Sequence, residues 1–344
     1  MLKRREFIGT SLFLTLPFGG FMKESAAAVQ VPDPIVKDGD NFYESSAVDA
    51  KRVTFKNCIG MELVGNLYVP KNLAAGTGYP AIVISHPFAA VRQQAANLYA
   101  QKLAELGFVT LSFDQSFWGE SAGEPRGTVL PDIYAENFSA GVDYIGCLPY
   151  VDRERIGVLG ICAGDGFALA AAKIDPRIKA VATSSMYDMG EYFRTGIAGN
   201  RDGKLRAEDL TKAAQARWKT IDSGNPVYGP GQNDPVFPEA KESNDFYRTK
   251  RGFYEPNDRR STPASYAKFM NFYPLENLEA ISPRPLLLVV GEDAPSKCYS
   301  QTAFERASEP KELHVVKGAN RTDLYDRVAL IPWMRFDAFF KKNL

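Results

Sequence analysis

Histidine is scarce in this chain of 344 residues, which contains only His86 and His314. Histidine is the side chain that most often moves protons in enzyme sites. Any catalytic nucleophile that depends on an imidazole partner must therefore use one of these two residues, or do without.

The chain also lacks an excess of charge of either sign, because 41 Lys and Arg residues balance 41 Asp and Glu residues. A protein without a net field has no long-range attraction for nucleic acid or anionic lipid. This composition favours a neutral small molecule or a peptide as partner and argues against nucleic acid.

Cysteines are few, and they do not cluster: Cys58, Cys147, Cys162 and Cys298. Their spacing is typical neither of a small disulfide-stapled scaffold nor of a zinc site. We expect no obligatory disulfide among them and no metal centre.

Long apolar runs are absent except for residues 9–21, which Pro17, Gly19 and Gly20 interrupt. This run is shorter than the roughly 20 residues that a helix needs to cross a bilayer. We therefore interpret it as the apolar part of an export signal rather than as a membrane anchor.

Two features next to the run support the same interpretation. Arg4 and Arg5 precede it, and small residues at 25–28 offer a cleavage site. The paired arginines are typical of a bacterial twin-arginine signal, which export machinery reads. The sequence thus predicts a signal peptide over residues 1–28 and a periplasmic or secreted protein over 29–344, with no membrane span after processing.

Strand-like and helical patterns alternate through most of this mature region. Because parallel strands need a crossover that is usually helical, the alternation predicts a doubly wound, mostly parallel α/β sheet with helices on both faces. Strands are expected near 52–56, 62–69, 81–85, 108–113, 156–159, 178–183, 285–290 and 313–316, and the main helices near 90–106, 132–148, 164–174 and 330–340. A Pro-, Gly- and aromatic-rich stretch at about 188–278 breaks the pattern and predicts a helical cap insertion.

The segment Gly160-Ile161-Cys162-Ala163-Gly164 follows a predicted strand and precedes a predicted helix. It has the form of a nucleophile elbow with cysteine at the reactive position. The positive end of the helix dipole would favour a Cys162 thiolate. The NH groups of Ala163 and of Phe88, in the loop after the 81–85 strand, would bind an oxyanion. The alternative is a tight turn with an inert buried cysteine.

Several motifs accompany the elbow in a familiar order. They are His86-Pro87, Phe113-Asp114, Gly119-Glu120-Ser121, Gly291-Glu292-Asp293 and Gly318-Ala319. From about Lys51 onwards the chain resembles the α/β-hydrolase fold, and more narrowly its dienelactone-hydrolase-like and polyketide-transferase-like branch. The resemblance implies that no metal or organic cofactor is needed.

One departure from that branch concerns the catalytic base. Members usually carry histidine in a Gly-Ala-x-His-x-Asp-Leu-Tyr-Asp stretch, whereas residues 318–326 place Arg321 there. Arginine stays protonated and cannot act as a general base, so Arg321 is expected to stabilise a thiolate or bind a substrate carboxylate. His86 either shapes the oxyanion loop or forms a dyad with Cys162, and His314 is expected to be a structural strand residue.

Acidic residues near the predicted site have open roles. The resemblance offers Asp293 and Asp188 as alternatives for the acid member of a triad, and either is a candidate salt-bridge partner of Arg321. Asp165 follows the elbow, where small residues are usual. We interpret it as a cap of the helix amino terminus, the alternative being a charge that opposes thiolate formation.

These observations lead to two functional hypotheses. The first is an acyl hydrolase or acyltransferase that uses Cys162 against an uncharged ester, thioester or lactone beneath the cap. The second is a catalytically silent relative whose pocket binds a small ligand or a protein partner, and it follows from Arg321 and Asp165.

Overall fold

Eight strands form one twisted sheet in the computed structural model, which describes residues 40–73, 78–231 and 241–344. The spatial order is β1-β2-β4-β3-β5-β6-β7-β8. Only the β1–β2 and β2–β4 pairs are antiparallel, and the other pairs run parallel. The strands are β1 (Val48–Lys56), β2 (Glu62–Pro70), β3 (Tyr79–Ser85), β4 (Val109–Phe113), β5 (Val151–Ile161), β6 (Ala180–Ser184), β7 (Leu286–Gly291) and β8 (Lys311–Val316).

Helices cover both faces of this sheet. The second, third and eighth helices pack on one face, and the first and tenth pack on the other. The α-helices are α1 (Ala96–Glu105), α2 (Pro131–Gly146), α3 (Ala163–Ile174), α4 (Met189–Thr195), α5 (Gly203–Ser223), α6 (Lys241–Tyr247), α7 (Pro263–Met270), α8 (Lys297–Arg306), α9 (Asp323–Asp326) and α10 (Trp333–Asn343). Short 3₁₀ helices lie at Ile197–Gly199 and Leu278–Ile281.

The predicted α/β architecture is confirmed. The burial of the central strands explains why their sequences predicted it. Strands β4, β6 and β7 are buried at every position, as expected of parallel strands with helices above and below. The outer strand β1 instead alternates towards its end between buried and exposed residues. The predicted helix at 90–106 begins later, at Ala96, because Ala95 takes a positive φ of 74° that an α-helix cannot continue.

The described residues of the insertion between β6 and β7 include helices α4 to α7 and lie over the carboxyl edge of the sheet. Its contacts are with loops that follow strand ends: Gln94 Nε2 donates to Gly252 O at 2.7 Å, and Asn257 Nδ2 donates to Ala89 O at 2.9 Å. The ring of Phe269 in α7 packs edge-on against Phe88, 5.0 Å between centroids. The insertion therefore covers the region where the elbow ends β5.

The predicted export signal lies outside the described residues. Within the described ranges, no helix is both long and apolar enough to cross a bilayer.

Candidate active site

Cys162 occupies a sharp turn between β5 and α3, with φ 58° and ψ −116°. Neighbouring backbone leaves no room for side chains on either side of it. A Cβ at Gly160 would lie 2.4 Å from Asp165 Cα, and one at Gly164 would lie 2.9 Å from His86 O. Both glycines are therefore required by close backbone approach, and a positive φ at the central cysteine stores strain of the kind found at functional turns.

The two expected oxyanion donors belong to α3 and to the loop after β3. Ala163 is the first residue of α3, and Phe88 lies in the loop after β3. Among the described residues, neither backbone NH donates to a protein acceptor. The approach of Gly164 to the end of β3 shows that the segments carrying these NH groups are in direct contact. The thiol of Cys162 is enclosed, since the residue is only 4% exposed.

Arg321 reaches this thiol from the loop after β8. Its Nη1 lies 3.5 Å from Cys162 Sγ and donates to the hydroxyl of Tyr325 at 2.9 Å. Its Nε pairs with Glu242 Oε1 at 2.6 Å, and Nη2 donates to the hydroxyl of Ser243. Glu242 and Ser243 belong to α6, so the guanidinium joins the insertion to the elbow.

The electrostatics of this cluster keep Arg321 charged. Burial lowers the pKa of Arg321, but the surrounding Tyr325, Cys162 and Glu242 outweigh it and raise that pKa well above its ordinary value. Burial also raises the pKa of Tyr325, whose hydroxyl therefore stays protonated. The structure thus places a fixed positive charge next to the Cys162 sulfur.

The prediction that Asp188 or Asp293 forms a salt bridge with Arg321 is wrong. Asp188 caps α4, where its Oδ1 accepts from Glu191 N at 2.8 Å, and Asp293 is exposed after β7. Glu242 takes the role instead, 79 residues before Arg321 in the chain. The sequence carries no periodic or motif signal for this residue, because the pairing depends entirely on how the insertion folds back over the sheet.

The prediction of a catalytic dyad between Cys162 and His86 is also wrong. Both ring nitrogens of His86 are engaged by backbone groups: Nδ1 lies 2.8 Å from Pro87 O, and Nε2 accepts from Gln115 N at 3.1 Å. Burial lowers the pKa of His86, so the ring is neutral. His86 therefore shapes the loop that carries Phe88. His314 lies in β8 opposite Val289, as expected of a structural residue.

Asp165 does not cap α3, contrary to the favoured interpretation. Its Oδ1 accepts from Ser184 N at 3.1 Å, on the end of β6, while Oδ2 is buried without a partner. Burial raises the pKa of Asp165 well above its ordinary value. The neutral acid is thereby favoured, which also weakens any opposition to a Cys162 thiolate.

Disulfide bonds and metal sites are the remaining chemical features to consider. All four cysteines lie in the described part of the chain, and none is paired. Among the residues described, no cluster of three or more His, Cys, Asp or Glu side chains could hold a metal ion.

Comparison with known proteins identifies a family that matches this chain. A family model described as PET hydrolase-like matches residues 24–197. Protein PA2218 of Pseudomonas aeruginosa is 47% identical over 310 residues, 88% of this chain and 83% of that protein. Protein YcjY of Escherichia coli is 37% identical and covers 81% of this chain and 94% of its own length. Thiohydrolase AneE of Aspergillus aculeatus is 27% identical over 79% of this chain and 86% of its own.

Solved structures of related proteins have the same fold as this chain. The crystal structure of PA2218 matches with a TM-score of 0.84 and covers 88% of this chain and 96% of that one. The crystal structure of GrgF from a Penicillium species matches with a TM-score of 0.73 at 25% identity, over 86% of this chain and 99% of that one. A related sequence from Penicillium carries the name polyketide transferase.

Proposed function

Because the chain belongs to the PET hydrolase-like family of α/β-hydrolase-fold proteins, we propose that it is an acyl hydrolase or acyltransferase with Cys162 as nucleophile. Its substrate would be an uncharged ester, thioester or lactone. The names thiohydrolase and polyketide transferase among its relatives favour acyl chemistry. The observation that carries the proposal is the guanidinium of Arg321 at 3.5 Å from Cys162 Sγ.

Under this proposal, Cys162 does not depend on a base at the moment of attack. A serine hydroxyl needs a base at the moment of attack, whereas a thiol next to a fixed cation supplies a thiolate population without one. The sulfur attacks the acyl carbon, and the NH groups of Ala163 and Phe88 bind the oxygen that becomes negative. The carbon–leaving group bond then breaks, and the leaving group departs with its electron pair.

The absence of an imidazole restricts the leaving group. A thiolate or a phenolate is stable enough to depart unprotonated, whereas an alkoxide needs a proton that neither Arg321 nor neutral His86 is suited to give. We therefore expect thioesters and activated esters to react faster than simple alkyl esters. The acyl group would remain on Cys162 until water or a stronger nucleophile removes it, and an amine or thiol would do so faster than water.

A second candidate function is binding without turnover. It is favoured by the closure of the site: Glu242, Ser243 and Tyr325 already engage the guanidinium, and the Cys162 thiol is enclosed. In this alternative, Arg321 is a structural link to α6, and a bound ligand is never attacked.

Acylation of Cys162 by p-nitrophenyl acetate and by a short-chain acyl thioester tests the first function. Released nitrophenolate or thiol is followed by absorbance, and the adduct by intact mass. Cys58→Ala is the matched control, because Cys58 is an exposed thiol outside the site. We expect rapid product release and an acyl adduct on the Cys162 peptide in the wild type and in Cys58→Ala, and in Cys162→Ala only the slow release that exposed thiols such as Cys58 and Cys147 cause.

Equal background release in wild type and Cys162→Ala, with no adduct, would overturn the enzyme proposal. A ligand that raises the melting temperature equally in both proteins would then support binding without turnover.

A further inference from the structure

The helix α5 exposes an apolar face to solvent. Of its 21 residues, only Ala213 and Ala216 are buried, where α5 packs on α7 and α4. Elsewhere, Trp218 is 69% and Ile221 is 77% exposed, and Leu210 is also exposed. Surface helices normally turn their apolar residues towards the core, whereas the other described residues leave this second apolar face of α5 largely exposed.

These residues form one continuous stripe. Ala207, Leu210, Ala214, Trp218 and Ile221 are all exposed and are separated by 3, 4, 4 and 3 positions. At 3.6 residues per turn, this spacing keeps them on one side of the helix. The spacing reads the same in both directions from Ala214, so two antiparallel copies related by a two-fold axis at Ala214 would match each other.

The small residue at the centre permits close approach. With Ala214 of one copy against Ala214 of the other, the backbones can come together, and Leu210 of each helix opposes Trp218 of its mate. Ala207 then opposes Ile221, a small residue against a large one. Interfaces between identical copies require this kind of self-complementary surface.

The charges beside the stripe are complementary under the same symmetry. Lys204 and Asp222 lie 18 positions apart, five full turns, and so occupy the same flank at opposite ends of α5. Within the described chain, neither side chain has an ion-pair partner. An antiparallel pair brings Lys204 of each copy beside Asp222 of the other, twice by symmetry.

We infer that this stripe of α5 is a homodimer interface, in which two copies pair their α5 helices antiparallel. A contact between two single helices is expected to bury less than the roughly 1,200 Å² typical of stable complexes, so we expect the dimer to be weak and reversible. This inference is independent of the chemistry at Cys162.

Sedimentation velocity of the mature protein between about 5 and 200 µM tests the interface. We expect reversible dimerisation in the wild type and a monomer at all concentrations in Trp218→Glu. Met334→Glu is the matched control, because Met334 is an equally exposed apolar residue, 68%, on the distant helix α10. A wild type that remains monomeric, or a Trp218→Glu protein that still dimerises, would contradict the inference.

Charge reversal tests the antiparallel arrangement itself. Lys204→Glu alone and Asp222→Lys alone place like charges together and should weaken dimerisation about tenfold or more, from two symmetry-related pairs. The double variant restores both pairs and should return to the wild-type dissociation constant. A double variant as weak as either single one would overturn the arrangement.

Discussion

Arg321 holds its guanidinium 3.5 Å from the sulfur of Cys162, across 159 positions of the chain. The branch that the sequence resembles has an imidazole at this position, which accepts a proton. A guanidinium cannot accept one, but it stabilises the charge left behind when the thiol loses its proton elsewhere. Under the proposed function, Arg321 therefore contributes a positive charge beside the sulfur and not a proton acceptor.

Replacing Arg321 should make Cys162 less reactive. Arg321→Met removes the positive charge 3.5 Å from Cys162 Sγ, so alkylation of Cys162 by iodoacetamide at pH 7 should slow at least severalfold. Peptide mass spectrometry follows Cys162, and the exposed Cys58 in the same protein serves as an internal reference.

Glu242→Gln is the matched variant for this experiment. It removes the carboxylate that shares the guanidinium but leaves the cation beside the sulfur, so Cys162 should react as fast as in the wild type or faster. If Arg321→Met leaves the ratio of Cys162 to Cys58 alkylation unchanged, while circular dichroism shows a folded protein, Arg321 does not stabilise the thiolate.

Local patterns were sufficient to predict the sheet and the turn that carries Cys162. Buried parallel strands have continuous apolar runs, and the elbow has glycines at the positions where backbone approaches most closely. The position of Arg321 was readable because it lies in a motif whose spacing from the last strand is short. Each of these features depends on residues near each other in the sequence.

The contact partners of these residues could not be predicted, because they lie far away in the sequence. Glu242 and Ser243 come from an irregular insertion, and nothing in their local sequence specifies which loop they will contact. Asp165 illustrates the second limit: an acid in a first helical turn usually caps the helix, yet here the side chain bonds to Ser184 N of β6. Such outcomes depend on tertiary burial, which single-sequence patterns do not encode.

We propose that Arg4 and Arg5 direct export of the folded protein, since the pair precedes an apolar run too short to span a bilayer. The double change to Lys-Lys should leave the full-length chain in the cytoplasm of a bacterial host, and Lys3→Arg should have no effect. Cell fractionation and the mass of the recovered chain measure this. Processed protein outside the cytoplasm in the double variant would exclude a twin-arginine route.

The close approach at the elbow predicts a large cost for a single methyl group. In Gly160→Ala the new Cβ would meet the backbone of Asp165 at 2.4 Å, so the turn must move, and we expect a loss of about 3 kcal/mol or more in unfolding free energy. Gly203→Ala is the control, because its Cβ meets nothing within 4 Å and it begins α5. That variant should be neutral or gain up to about 1 kcal/mol. Equal stabilities in chemical denaturation would show that the turn is not as tight as described.

Asp188 is expected to make the free energy of unfolding fall as the pH rises. Burial raises the pKa of this carboxyl from 3.8 to about 6, while Glu191 N and Arg194 partly oppose the shift. The folded state thus holds the proton more tightly than the unfolded chain does. The resulting stabilisation is complete below about pH 4 and is lost as the pH rises through 6.

Asp188→Asn should remove that dependence. Asparagine keeps an oxygen that can accept from Glu191 N at the start of α4, but it does not ionise. Two pKa units correspond to about 3 kcal/mol at most. The variant should therefore gain stability relative to the wild type between pH 4 and pH 7, by up to that amount. Urea denaturation at several pH values measures the difference, and Asp188→Ala, which also removes the cap, should be less stable than Asp188→Asn throughout. If the gap between wild type and Asp188→Asn stays constant from pH 4 to 7, the carboxyl is not held in its protonated form by burial.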